Sequence, residues 1–315
     1  MFGVFTFITK KTPNKFACMR FIFSIFARNF NREDVLFSHN KRLLMKANKI
    51  LFLTQEIVPF TESSAMADNC RFLLQATQER GHEIRTFMPK WGSINERRNQ
   101  LHEVIRLTGM NIIVDDTDHP LIIKVASIQA LRTQVFFILN EDYFRNHLNT
   151  RDENGVEYPD NDERAIFFAR SVLETVKKQS WYPEVIHCHG WIGALTGLYI
   201  KTLYKDEPAF RNTKFVYSLY NDAFNATFPE EFLKKILVKN MEEIDFSEFT
   251  SPINYHELSK MAIRWADGVI ENCENADPAL VEYARSLGKP VLEYKTGAEY
   301  ADACSNFYNQ LCEQE

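Results

Sequence analysis

The 315-residue sequence is first defined by what it does not contain. No C-x-x-C pair occurs among Cys18, Cys70, Cys188, Cys273, Cys304 and Cys312, which are scattered among apolar neighbours. That argues against a disulfide framework and for buried free thiols in a reducing cytoplasm. No apolar run approaches the ~20 residues of a membrane-spanning helix, because Arg20, Arg28 and several lysines interrupt the Phe-rich start. There is no excess of positive charge, and a net charge of -5 supplies no electrostatic footprint for nucleic acid. There is no G-x-S-x-G elbow, which removes the usual support for a serine-nucleophile enzyme. No internal repeat, low-complexity tract or linker rich in Pro, Gly or Ser separates two bodies, so one α/β domain is expected.

Residues 1–32 also lack any Asp or Glu while combining Phe with Lys and Arg. Such a stretch suits a basic presequence or a membrane-surface segment. The preferred alternative is that Met45-Lys46-Ala47-Asn48 is the true start, a short polar lead into a first buried strand. On either reading residues 1–44 are an N-terminal extension outside the fold, and residues 45–315 form the domain.

What is present is organised around residues 49–68. The apolar run Ile50-Leu51-Phe52-Leu53 ends at Pro59, and small residues lead into a helical period at Met66, Phe72, Leu73 and Ala76. The spacing predicts a buried strand, a loop and a helix, the opening of a Rossmann-like doubly wound parallel sheet. In such a unit the loop after the first strand faces the ligand crevice, and the helix N-terminus offers N–H groups to an anion. Here the loop is Glu62-Ser63-Ser64-Ala65, with no glycine and an acid where a phosphate site needs a Lys. It reads as a degenerate phosphate loop, or simply as a helix N-terminus favoured by Glu62.

Strands are predicted over 83–89, 103–107, 110–114, 120–125, 133–139, 214–219 and 290–292. Helices are predicted over 66–80, 194–203, 277–286 and 298–311. Asp160 or Asn161 is expected to cap a further long helix that buries Ala165, Phe168, Ala169, Val172, Leu173 and Val176. His187-Cys188-His189 ends another strand, where a parallel sheet presents ligand groups. Zinc is disfavoured there, since adjacent residues of a strand point to opposite faces. No metal and no cofactor is called for.

Several of these stretches resemble the glycogen and starch synthases. The family's E-V-x-P-F-x-K-x-G-G-L-x-D is matched at Glu56, Pro59, Phe60 and Asp68, with Glu62 for Lys and Ser64-Ala65 for Gly-Gly. Arg80-Gly81-His82, Met88-Pro89, Trp91-Gly92 and Asn140 with Tyr143-Phe144 echo further motifs. So do Tyr158 with Asp160, Asn161 and Arg164, the segment Trp181 to Trp191, and Tyr220-Asn221, where the family usually has His-Asn. Residues 253–262 and 266–270 resemble the family's helix followed by a strand.

The resemblance covers residues 49–292 and implies the N-terminal Rossmann-like half of a GT-B glycosyltransferase. Family members move glucose from a nucleotide-glucose to an α-1,4-glucan. By resemblance, Asp160, Asn161, Arg164, His187, His189, Trp191, Tyr220 and Asn221 are the sugar-binding candidates, with no confident catalytic residue. The synthases continue into a second domain that grips the donor, whereas about two dozen residues follow Leu292. The expectation is therefore a pseudoenzyme-like module that binds α-glucan, nucleotide sugar or a synthase. The alternative is the acceptor-side half of a glucosyltransferase, completed by a separately encoded glycosyltransferase domain.

Overall fold

A computed structural model describes residues 48–145, 147–238, 241 and 244–313. The N-terminal extension expected over 1–44, and Cys18 within it, lie outside the described residues.

Strand β1 (Lys49–Thr54) is buried from Ile50 onward. An apolar run with no alternation is what a strand covered on both faces requires, and β1 lies between two parallel neighbours. On one side it pairs with β2 (Glu83–Pro89), and on the other with β7 (Val185–His189), where Thr54 aligns with His189. Beyond β2 comes β6 (Thr133–Leu139), and beyond β7 come β8 (Lys214–Leu219), β9 (Gly268–Glu271) and β10 (Val291–Leu292). All of these pairings are parallel. The chain moves outward from β1 to β2 and β6 on one side, then returns to build β7 to β10 on the other. The switch point lies between β1 and β7, and their C-terminal ends define the ligand edge.

One flank departs from the purely parallel expectation. β5 (Thr117–Ile128) runs antiparallel to β6 and also pairs antiparallel with β3 (His102–Glu103) and β4 (Met110–Val114). The strand expected over 103–107 stops at Glu103 because the backbone turns, with the N–H groups of Leu107 and Thr108 both donating to Val104 O.

Helix α1 (Ala65–Glu79) follows β1, and Ser64 caps it by accepting from Ala67 N at 3.0 Å. Helix α2 (Asn161–Gln179) is buried on nearly every side, not only along the predicted stripe. Asp160 stands at its cap position without a side-chain capping bond.

The helix expected over 194–203 is instead a 3₁₀ turn at Trp191–Gly193 followed by the short α3 (Thr196–Lys201). Close packing on the sheet sets this path, since a Cβ at Gly197 would lie 2.4 Å from the Phe215 ring. The remaining helices are α4 (Phe232–Ile236), α5 (Tyr255–Arg264), α6 (Pro278–Ser286) and α7 (Gly297–Glu313).

Helix α7 buries Tyr300, Cys304, Phe307, Tyr308 and Leu311. Polar anchors hold it to the sheet: His82 Nε2 to Ser305 Oγ at 2.7 Å, and Asn48 Nδ2 to Asn309 Oδ1 at 2.7 Å. The described cysteines are free, and Cys70, Cys188 and Cys304 are buried. Burial, with the nearby Glu56 charge, pushes the Cys70 thiol up to about 12 despite its contacts with Thr54 and Tyr220. No described helix is long and apolar enough to cross a membrane.

Candidate sugar site at the switch point

The C-terminal ends of β1, β7 and β8 open onto a cleft of about 560 Å³, lined among others by Gln55, Glu56, Ser64, Trp191, Tyr220 and Asp222. Glu56, Ser64 and Asn149 also line an adjoining cleft of about 730 Å³, which runs past Trp91, Asn95 and Arg98. The rim at β1 is fixed from below, because Trp91 Nε1 donates to Gln55 O at 2.8 Å.

Two histidines on one face of β7 have different fates. Their rings lie 3.9 Å apart. His187 has no exposed surface and both nitrogens are engaged, Nδ1 with Tyr308 Oη at 2.7 Å and Nε2 with Ser218 Oγ at 2.5 Å. It is a core histidine tying β7 to β8 and α7, and it does not line the cleft. His189, 1% exposed, bonds through Nδ1 to Tyr220 Oη at 2.8 Å, while its Nε2 is buried without a partner.

Asn69 Nδ2 donates to Tyr220 Oη and to Asn272 Oδ1, both at 3.3 Å. Tyr220 Oη, which also meets the Cys70 thiol, can give its proton to His189 Nδ1, the arrangement that puts the His189 hydrogen on Nε2. Burial holds this ring down to about 3, neutral across the physiological range. His189 is therefore a neutral imidazole whose Nε2 is buried without a partner; it stands behind Tyr220 and, like His187, does not itself line the cleft. Gln55 Oε1 at the same strand-end layer is also without a partner.

Gly190 follows with φ 89 and ψ 158, a backbone state reserved for glycine. A Cβ there would sit 2.9 Å from Gln55 Cβ. Trp191 is 1% exposed and packs edge-on to Phe224 at 4.9 Å, so most of its ring belongs to the core although it lines the cleft. Asn221 is exposed on the rim.

Asp160, Asn161 and Arg164 act one layer back. Arg164 has no exposed surface; Nη1 donates to Asn161 Oδ1 and Nη2 to Asn149 O, both at 2.7 Å. Asn161 Nδ2 donates to Thr150 O at 2.9 Å. These bonds hold the loop through Asn149, Thr150 and Arg151, which lines the cleft. Burial lowers Arg164 to about 10, so it remains charged. Asp160 faces His147, Oδ2 to Nε2 at 3.8 Å.

The β1–α1 loop is closed on itself. Ser64 Oγ donates to the Glu56 carboxylate, and Ser63 Oγ donates to Asp68 Oδ2 at 2.6 Å. Glu62 and Ala65 are exposed beside them. Where a diphosphate would need free donors, two serine hydroxyls are already committed to acids of this chain.

Three cleft groups carry no mark in the sequence analysis. Asp222 accepts from Tyr255 Oη at 2.7 Å, its other oxygen is enclosed without a partner, and burial raises its pKa to about 6. Asn69 and Asn272 complete the relay behind Tyr220. The signal for Asp222 was its place directly after Tyr220-Asn221; α1 and the end of β9 gave none for the two asparagines. Among the described residues no cluster of three or more His, Cys, Asp or Glu is placed to hold a metal.

A mainly parallel sheet with a polar and aromatic cleft at its switch point is a Rossmann-like fold, resembling one half of a GT-B glycosyltransferase. The catalytic domain of starch synthase IV from Arabidopsis thaliana, in a structure bound to ADP and acarbose, has this fold at a TM-score of 0.63 and 17% identity, covering 80% of this chain and 52% of that one.

The chain belongs to the starch synthase catalytic domain family, which it matches over residues 49–273. The glycogen synthases of Chlorobium limicola and Chlorobium luteolum are each 37% identical to it over 190 residues, or 60% of this chain. The chain spans 39% of the length of these curated relatives.

Proposed function

We propose that this domain is a glycogen/starch synthase-like module that holds an α-glucan at the switch-point cleft and does not by itself transfer glucose. The observation that carries the reading is the split within one cleft. On the β7–β8 side His189 Nε2 is buried without a partner beside the cleft, and with Tyr220 giving its proton to Nδ1 it becomes a donor left for a ligand. On the β1–α1 side the hydroxyls of Ser63 and Ser64 are spent on Asp68 and Glu56, and Glu62 adds a charge that repels a diphosphate.

A neutral N–H donor beside an aromatic edge and amide groups suits the hydroxyls and apolar face of a pyranose. Stabilising a leaving diphosphate needs positioned donors, and the loss of one such donor costs ~3–4 kcal/mol of barrier lowering. A nucleotide sugar is therefore a weaker ligand than glucan, and a synthase is the further partner to which the module would deliver it.

Native gels containing glycogen are the test. Retarded migration is expected, and His189→Ala should abolish it with circular dichroism unchanged. Purified protein should release no ADP or UDP from ADP-glucose or UDP-glucose when glycogen is added. Glucan-dependent nucleotide release would instead support the acceptor-side half of a working transferase. Migration unaffected by any α-glucan would overturn sugar binding.

A further inference from the structure

At the opposite end of the sheet, where β2 and β6 begin and β5 ends, lies a larger open cleft of about 830 Å³. Three guanidinium groups line it: Arg85 from β2, Arg106 from the β3–β4 connection and Arg132 from the turn between β5 and β6. In a chain of net charge -5 this is a local reversal of sign. Glu83 is the one carboxylate in the lining, and it is engaged, accepting from Trp181 Nε1 at 2.6 Å.

Arg85 is held in place, with its Cζ 4.7 Å from the centre of the Trp181 ring and its Nη1 donating to Gln179 Oε1. Arg106 and Arg132 are exposed and make no ion pair or side-chain hydrogen bond among the described residues. Burial, opposed by Glu83 and reinforced by the nearby Arg106 charge, lowers the pKa of Arg85.

The rest of the lining is polar and neutral, rich in glutamine amides, over an apolar floor of Ile84 and Phe136. Helices α1 and α2 present their C-terminal carbonyl ends toward this end of the sheet, which do not attract anions. Any anion held here is held by the guanidinium groups, which match phosphate geometry bidentately.

We propose that this cleft binds a phosphate monoester, its dianion gripped by Arg106 and Arg132 beside Arg85 and its hydroxylated body resting on Phe136 among the glutamines. The site uses neither wall of the sugar cleft and stands independently of the function proposed above.

Isothermal titration of the full chain at low salt with inorganic phosphate, ribose 5-phosphate and AMP separates a bare anion, a sugar phosphate and a nucleotide. Ribose 5-phosphate should bind more tightly than inorganic phosphate and weaken as NaCl rises. Arg106→Gln and Arg132→Asn, the latter suited to the left-handed backbone at that residue (φ 52), should each weaken binding about ten-fold or more with an unchanged melting temperature. AMP binding lost in the same variants would support the site and extend its ligands to nucleotides. Binding of no probe, or binding that survives the double variant, would overturn the proposal. Inorganic phosphate bound as tightly as ribose 5-phosphate would overturn the role of the Phe136 floor.

Discussion

The two walls of the switch-point cleft use similar residue types to opposite effect. On the β7–β8 wall a relay from Asn69 through Tyr220 reaches His189 Nδ1 and leaves its Nε2 without a partner. On the β1–α1 wall, Ser63 and Ser64 turn their hydroxyls back onto Asp68 and Glu56, leaving none. The lesson is that a polar group marks a ligand site only by what remains after its neighbours are satisfied. Residue type alone does not reveal that remainder.

The largest expected effect lies behind both walls. Arg164→Ala strands the buried Asn161 Oδ1, releases Asn149 O and removes a fully buried side chain, and should cost about 3 kcal/mol or more in urea unfolding. A loss below about 1 kcal/mol would mean that the Asn149 loop is held by other contacts.

Tyr220→Phe sharpens the contrast by removing the hydroxyl that fixes His189. It should cost about 1–2 kcal/mol and abolish retardation by glycogen, while retention of both would show that the relay does not set the donor. Ser64→Ala removes the α1 cap and should cost about 1 kcal/mol without weakening glucan binding, because that wall is already closed.

The pH dependence separates two groups of the β7–β8 wall by sign. His189 has a folded value of about 3 against an ordinary 6.5, so its contribution to stability is complete above 6.5 and lost as pH falls toward 3. Asp222 runs the other way: raised from 3.8 to about 6, its contribution is complete below 3.8 and lost as pH rises through 6. Asp222→Asn should therefore gain on the wild type in thermal midpoint between pH 4 and pH 8, with most of the gain in place above 6. A constant difference across that range would contradict a buried, raised carboxyl.

Much of the frame was legible in the sequence because the buried parallel strands are short apolar runs with clear ends. β2, β6 and β8 fall on the predicted residues, and Ser64 caps α1 within the segment read as a helix start. The strands of the antiparallel flank were legible, β4 on the predicted residues and β5 around them, but their direction was not, since alternation predicts a strand without its direction and the turn at Val104 resembles a continued strand.

In the candidate site, His187 and His189 are indistinguishable by pattern. Only the fold brings Tyr308, more than a hundred residues away, onto His187. Asp160, Asn161 and Arg164, expected as sugar-binding residues, stand one layer behind the cleft, because a buried arginine bonded to a side-chain amide and a backbone carbonyl has the same sequence signature as an exposed one.

The central claim is that His189 is neutral, protonated on Nε2, and able to give that hydrogen to a sugar. Long-range ¹H–¹⁵N imidazole spectra at pH 7, recorded without and with maltoheptaose, test it directly. The account predicts an Nε2–H tautomer for His189 whose ¹⁵N resonance shifts on titration, while that of His187 stays still. An Nδ1–H tautomer, or a His189 resonance unmoved by saturating maltoheptaose, would contradict it.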